Sequence, residues 1–159
     1  MKVLFLNPPF LPRYSRQSRS PCVTKSNTLY YPYYLAYAAG WVEKHGYTVE
    51  LVDAVANEWS RGETVNHTKH ARPDLIVMDT STPSIVNDVQ VAEALKEALP
   101  ETHITLVGTF PTNMADYTLN MNKAIDSIGV GEYDNTILFL AQALEEKKPL
   151  ENVHGLAVG

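Results

Sequence analysis

Four short stretches of this 159-residue chain carry side chains suited to holding a polar ligand: Asn7-Pro8-Pro9-Phe10, Thr80-Ser81-Thr82-Pro83-Ser84, Gly108-Thr109-Phe110-Pro111-Thr112 and Gly129-Val130-Gly131-Glu132, the last running on into Tyr133. Each is small, rigid or hydroxyl-bearing, and each follows an apolar run. Pro83 and Pro111 stand where helices can begin, because the N–H that proline lacks has no partner in a first helical turn. Helix N-termini behind them would offer unpaired N–H groups to an anion such as a phosphate. Ser84 could instead cap its helix, with Asn87 and Asp88 in the first turn. Gly108, directly after an apolar run, permits close approach of a ligand, although a tight turn would call for the same residue. These are tools for binding rather than for making bonds. No G-x-S-x-G elbow or acid/base carboxylate pair supports a hydrolase or glycosyltransferase. Without a G-x-G-x-x-G or a G-x-x-x-x-G-K-[ST], nicotinamide and ATP are disfavoured as well.

Other residue types of interest point less firmly to chemistry. His67 and His70 are three apart, a spacing that lets both face one metal, but without a third ligand two solvated histidines are the simpler reading. Arg13, Arg16 and Arg19 offer a grip for a carboxylate or phosphate, yet their Ser-rich surroundings favour a solvated segment. "LYYPYY" (29–34) offers either a stacking surface for a macrocycle or base, or aromatic packing of a loop on the sheet. Asp53 reads as an ordinary loop carboxylate in the absence of a glycine fingerprint. A lone Cys22 excludes an internal disulfide and a cysteine-clustered metal site within this chain.

The elements that must position these residues follow from periodicity. Apolar or β-branched runs at Lys2–Leu6, Thr48–Asp53, Asp74–Asp79, His103–Val107 and Ile125–Val130 read as strands. Helices are expected over Tyr33–His45, with Leu35, Ala38, Ala39 and Val42 on one face, over Gly62–Ala71, over Ser84–Leu99, with Ile85, Val89, Ala92, Leu95 and Leu99 on one face, over Thr112–Met121 and over Asn135–Glu146. Pro12–Asn27, with four Ser, three Arg and two Pro, is expected to be a long loop. Regular alternation of strand and helix predicts an α/β fold: a doubly wound five-stranded parallel sheet, flavodoxin-like or Rossmann-like, with strand order 2-1-3-4-5. Such sheets take ligands outside the carboxyl ends of their strands, where all four stretches fall.

Length and a hydrophobic share of 45% fit one domain spanning residues 1–159. A formal net charge of −5, from 13 basic and 18 acidic side chains, provides no electrostatic footprint for nucleic acid. The apolar start MKVLFLNPPF is too short to span a bilayer and is interrupted too soon for a secretory signal, so a cytoplasmic protein is expected.

With the rim laid out, the segments "KVLFLNPPF", "YYPYYLAYAAGWVEKHGYTVELVDA", "PDLIVMDTSTPSIVNDVQVAEALKEALP", "LVGTFPTN" and "GVGEYDNT" resemble the amino-terminal cobalamin-binding domain of cobalamin-dependent radical S-adenosylmethionine enzymes, such as anaerobic Mg-protoporphyrin monomethyl ester cyclases and related methyltransferases. The resemblance implies cobalamin over the carboxyl ends of the strands, its nucleotide tail descending beside the sheet. Thr80, Ser81, Thr82, Pro83, Ser84, Asn87 and Asp88, with Gly108, Thr109, Phe110, Pro111 and Thr112, would hold the tail; Asn7, Pro8, Pro9, Phe10, Gly131, Glu132 and Tyr133 would line the rim. It also implies a parent of methyltransferase or oxidative cyclase type, whose C-terminal radical domain binds S-adenosylmethionine and an iron–sulfur cluster. The tail "ENVHGLAVG" resembles the lead-in to that domain. The D-x-H-x-x-G motif that donates a histidine to cobalt is absent, so no protein ligand to cobalt is implied. A flavodoxin-like regulatory or interaction domain without cofactor is the alternative, but Asn7-Pro8-Pro9 stands where a receiver needs its acidic pair.

Overall fold

The computed structural model describes residues 1–159. Strands β1 (Lys2–Asn7), β4 (Thr48–Asp53), β5 (Leu75–Thr80), β6 (His103–Gly108), β7 (Ser127–Gly129) and β8 (Leu156–Val158) form one sheet in the order β4-β1-β5-β6-β7-β8. The first five are parallel and reproduce the expected 2-1-3-4-5 order. The sixth, β8, runs antiparallel to β7 and covers its outer edge; it was not expected, because Leu156-Ala157-Val158 is too short for a periodic signal.

Strand alternation divides the core into two layers. Val3, Phe5, Leu75, Val77 and Val107 point to the face covered by α1 (Tyr33–Lys44) and α6 (Asp134–Glu145). Leu4, Leu6, Ile76, Met78, Ile104 and Leu106 pack on the opposite face with α3 (Ile85–Ala98), and α2 (Arg61–Ala71) lies beside it. Helix α1 buries the expected Leu35, Ala38, Ala39 and Val42. Although α2 is polar, a capping box starts it, in which Ser60 Oγ accepts from Glu63 N–H and the Glu63 carboxylate accepts from Ser60 N–H.

Three expectations are corrected. The helix expected over Thr112–Met121 is two short helices, α4 (Thr109–Asn113) and α5 (Ala115–Leu119), broken at Met114. The last parallel strand is shorter than Ile125–Val130, because Asp126 turns away to accept from Lys96 Nζ and Ile104 N–H. The Pro12–Asn27 segment contains a two-stranded hairpin, β2 (Tyr14–Ser15) with β3 (Cys22–Val23), and its side chains reach down onto the sheet rim.

Candidate functional site

At the carboxyl end of the sheet, Asp88 in the first turn of α3 is fully buried and accepts four hydrogen bonds. Arg16 Nη2 donates at 2.6 Å, Thr80 Oγ1 and Ser84 Oγ each at 2.6 Å, and Asn87 Nδ2 at 3.0 Å. The Arg16 guanidinium also donates to Asn7 Oδ1 at 3.1 Å and to the Pro8 carbonyl at 2.5 Å, and Asn87 Nδ2 reaches the Pro9 carbonyl at 2.8 Å. Ser81 and Ser84 hydroxyls share a bond of 2.7 Å, and Tyr14 OH meets Ser81 Oγ at 2.8 Å. Burial raises the Tyr14 phenol pKa, against the opposing pull of this bond. Asn7–Pro9 and Thr80–Asp88 are thus locked together through one ion pair. Its guanidinium lies 5.3 Å from the centre of the Tyr14 ring.

This corrects the sequence reading of Arg16. Arg13 and Arg19 are exposed as expected, but Arg16 is buried as the partner of Asp88. Asp88 lies on the inward stripe with Ile85, Val89 and Ala92, and a charge on the apolar face of a helix needs a buried partner. That was the available signal. Ser84 precedes α3 without capping a helical N–H; its hydroxyl serves Asp88 instead.

The remaining expected residues gather on the next strands. Gly108 has φ +115°, and a Cβ there would lie 2.2 Å from the Thr80 carbonyl oxygen and 2.9 Å from Asp79 Oδ1. Its bareness is therefore required by the β5–β6 pair itself, in the manner of the tight-turn alternative. Thr112 Oγ1 accepts from Gly131 N–H at 3.1 Å, joining the third and fourth stretches. Phe110 stacks edgewise near Tyr117, and Pro111 is buried in α4. Phe10 packs edgewise on Tyr14, while Thr82, Pro83, Thr109, Gly131 and Glu132 are exposed.

Asp79, outside the expected set, and Tyr133, within it, complete the arrangement. Asp79 is 5% exposed and accepts from Gln17 Nε2. Burial pushes its carboxyl up to about 7, offset in part by the Arg16 charge. Tyr133, 7% exposed, has a buried hydroxyl with no partner; burial and then the Asp79 charge drive its pKa up. Arg16 Nε is also buried and unpartnered. Open clefts of about 410 and 610 Å³ lie at the other end of the sheet, around Asp74, Glu101 and Thr102.

A family model described as B12 binding domain matches residues 19–141. The chain belongs to that family. This B12-binding domain is 29% identical, over 130 residues, to the anaerobic magnesium-protoporphyrin IX monomethyl ester cyclase of Rubrivivax gelatinosus, covering 79% of the chain and 23% of that protein. It is 28% identical, over 159 residues, to the cyclase of the same name from Synechocystis, covering 99% of the chain and 30% of the relative. Its fold matches the radical S-adenosylmethionine methyltransferase TsrM from Kitasatospora setae, solved with cobalamin and a 4Fe–4S cluster, with a TM-score of 0.79 and 16% identity over 99% of the chain and 28% of that protein. The B12-binding domain thus spans less than a third of each.

Other candidates take ordinary places. His67 is not simply solvated: its Nε2 meets Glu50 Oε1 at 2.5 Å, and Glu50 pairs with Lys2 at 2.9 Å. His70 bonds to the Asn66 carbonyl of its own helix. Asp53 accepts from Asn7 Nδ2 at 2.8 Å and from Ala56 N–H. Tyr30, Tyr31 and Tyr34 lie exposed at the start of α1 rather than packed under the loop, and Cys22 is an exposed free thiol. No helix is long and apolar enough to cross a membrane.

Proposed function

We propose that this chain is the corrinoid-holding module of a longer radical S-adenosylmethionine enzyme of oxidative cyclase or methyltransferase type, and that its rim grips the nucleotide tail of cobalamin. One observation carries the reading. Four loops converge at the carboxyl edge of a parallel sheet, and two buried donors among them, Tyr133 OH and Arg16 Nε, have no partner. Buried donors are otherwise nearly always satisfied, so a ligand acceptor is the natural complement.

When bound, cobalamin supplies a cobalt centre able to carry a methyl group or electrons. This chain's residues bind and orient. The Asp88 network fixes the first two loops relative to each other, so that the exposed Thr82, Pro83 and Thr109 and the Gly131–Glu132 turn present a firm rim to the corrin. Tyr14, Arg16 and Gln17, all from the long loop, stand over the strand ends and would flank the tail there. S-adenosylmethionine and an iron–sulfur cluster belong to the C-terminal part of such an enzyme, which is the chain's expected partner. The exposed free Cys22 fits a cytoplasmic setting.

The test is to mix the purified chain with hydroxocobalamin, remove excess by gel filtration and record the visible spectrum of the protein peak. Retained corrinoid, reduced by Thr82→Trp or Thr109→Trp at exposed rim positions, is the expected result. A colourless peak from folded protein would overturn the reading.

A further inference from the structure

Helix α1 buries one stripe and leaves the opposite one uncovered. Leu35, Ala38, Ala39 and Val42 face the core, so the outward face is centred on Tyr37, with Tyr34 and Trp41 along one flank and Tyr33 and Gly40 along the other. The outward stripe of a surface helix is ordinarily charged or polar, yet no side chain from Ser26 to Val42 carries a charge. Tyr30, Tyr31, Tyr34 and Tyr37 are 57–68% exposed and Tyr33 is 36% exposed. They form one patch: the Tyr33 and Tyr34 ring centres are 4.4 Å apart, and Tyr30 and Tyr37 stand close to the Tyr33 phenol.

Gly40 adds an independent observation. It is exposed in the middle of α1, and a Cβ built on it would meet nothing within 4 Å. Alanine there would fit without strain and favour the helix, so the fold of the single chain has no use for the missing side chain. A bare position on an outward helix face instead admits the close approach of another chain.

Area, charge and symmetry select the occupant. A tyrosine contributes about 200 Å², so the uncovered parts of the five come to about 550–600 Å² on one copy and about 1,100 Å² for a symmetric pair, the lower end of what a specific dimer buries. A chain of net charge −5 repels its own copies, and on this stripe two can meet without setting like charges against each other. The stripe also suits a two-fold axis, because Tyr33 with Gly40 and Tyr34 with Trp41 are each one heptad apart on their own flank and lie almost evenly about Tyr37.

We propose that this face joins two copies of the chain, with their α1 helices antiparallel about a two-fold axis at Tyr37. The pairing seats Tyr33 on the partner's Gly40, sets Tyr34 against the partner's Trp41 and brings the two Tyr37 rings together. Helix α1 starts at the carboxyl rim, where Tyr34 stands near Tyr133, so antiparallel helices point the two rims in opposite directions and leave each open. The inference lies beyond the corrinoid reading and does not depend on it.

Sedimentation equilibrium of the 159-residue chain from about 5 to about 500 µM tests the pairing. The mass should double from 17.7 kDa, with a dissociation constant on the order of 10–100 µM. Raising the salt from about 0.05 to about 0.5 M should tighten the dimer, since repulsion between the copies is screened and no ion pair holds them. Tyr37→Glu, which sets two carboxylates on the axis, should weaken it at least about tenfold. Gly40→Gln should raise the melting temperature of the dilute monomer, because glutamine is the better helix former, and yet weaken the dimer at least about tenfold; a merely structural role for Gly40 would not separate the two. Tyr117→Glu, on the exposed side of α5, should leave the dimer unchanged, and circular dichroism checks that each variant is folded. A chain that stays monomeric throughout overturns the proposal and leaves the face to a different polypeptide. A dimer that loosens with salt, or that survives both Tyr37→Glu and Gly40→Gln, is held by another surface and overturns it equally.

Discussion

Removing the Asp88 carboxylate should cost more stability than removing any other single polar group at the rim. In the native chain it takes four donors while fully buried, and the Arg16 guanidinium opposite it is buried as well. Asp88→Ala leaves Arg16 with only two neutral acceptors, Asn7 Oδ1 and the Pro8 carbonyl. Stranding a buried cation in this way costs about 3–5 kcal/mol, of which the Thr80 and Ser84 hydroxyls recover little, although Ser84 can turn fully to the Ser81 carbonyl, 3.3 Å away. Arg16→Met costs less, about 2–3 kcal/mol, because Asp88 keeps three donors. The double variant Arg16→Met/Asp88→Ala removes both charges, so its loss should fall at least about 2 kcal/mol short of the sum of the two single losses. Urea unfolding of the four proteins, followed by far-ultraviolet circular dichroism at pH 7, measures the cycle. If Asp88→Ala loses under about 1 kcal/mol, or if the single losses simply add, the ion pair does not hold the two loops together and the argument is wrong.

Three further perturbations test the neighbouring residues. Asp79 has its folded-state pKa raised from 3.8 to about 7, so the folded chain keeps a proton through a window in which the unfolded chain has lost it; the carboxyl's stabilising contribution is full below about 4 and is lost as pH rises through 7. Between pH 5 and 8, Asp79→Asn should therefore gain about 2–3 kcal/mol relative to wild type, roughly two pH units at about 1.4 kcal/mol each, and parallel stability–pH curves from urea titrations would contradict the buried placement. Gly108→Ala drives a Cβ into the Thr80 carbonyl at positive φ, with an expected loss of about 3 kcal/mol and a melting point lower by about 6–12 °C; an unchanged thermal melt would contradict the close β5–β6 approach. Gly131→Ala, also at positive φ but with open space around it, should lose only about 1 kcal/mol by the same melt, and a loss as large as that of Gly108→Ala would show that the two turns are packed alike.

The parallel sheet was legible because its strands are short apolar runs separated by helices with a clear apolar stripe. Leu35, Ala38, Ala39 and Val42 are a repeating signal that survives without any tertiary information. The same kind of reading failed at β8, whose three residues are held by pairing with β7 and not by any pattern of their own. It failed again at the long loop. Tyr14, Arg16 and Gln17 look like any polar stretch, and only their distant partners Ser81, Asp88 and Asp79 make them part of the rim. Asp88 did carry a signal, a charge on the inward face of α3, whereas Asp79 at a strand's end could not be assigned to a layer until the strand's register was known. Contacts across 62 to 72 residues are beyond what local periodicity encodes.

The two faces at the end of β5 therefore play different parts, and alternation along a single strand is enough to separate them. On the α3 side, hydroxyls, an amide and a guanidinium converge on one carboxylate and leave it fully served, which is what a rigid scaffold requires. On the α1–α6 side a phenol has no partner, and a carboxyl is served by a loop amide that can be exchanged for another donor. Hydroxyl-rich sequence after a buried strand draws attention to the first side, because Thr80-Ser81-Thr82-Pro83-Ser84 is conspicuous. On the second, Tyr133, which only the family resemblance brought to the rim, has an unpartnered hydroxyl, and Asp79, which the sequence reading passed over, has one side-chain donor. A ligand gains most from groups that folding has left unpaired, since it need not break internal bonds to reach them. The conspicuous hydroxyls thus set the shape of the rim, and the half-served pair beside them is the better place to look for a ligand's hydrogen bonds.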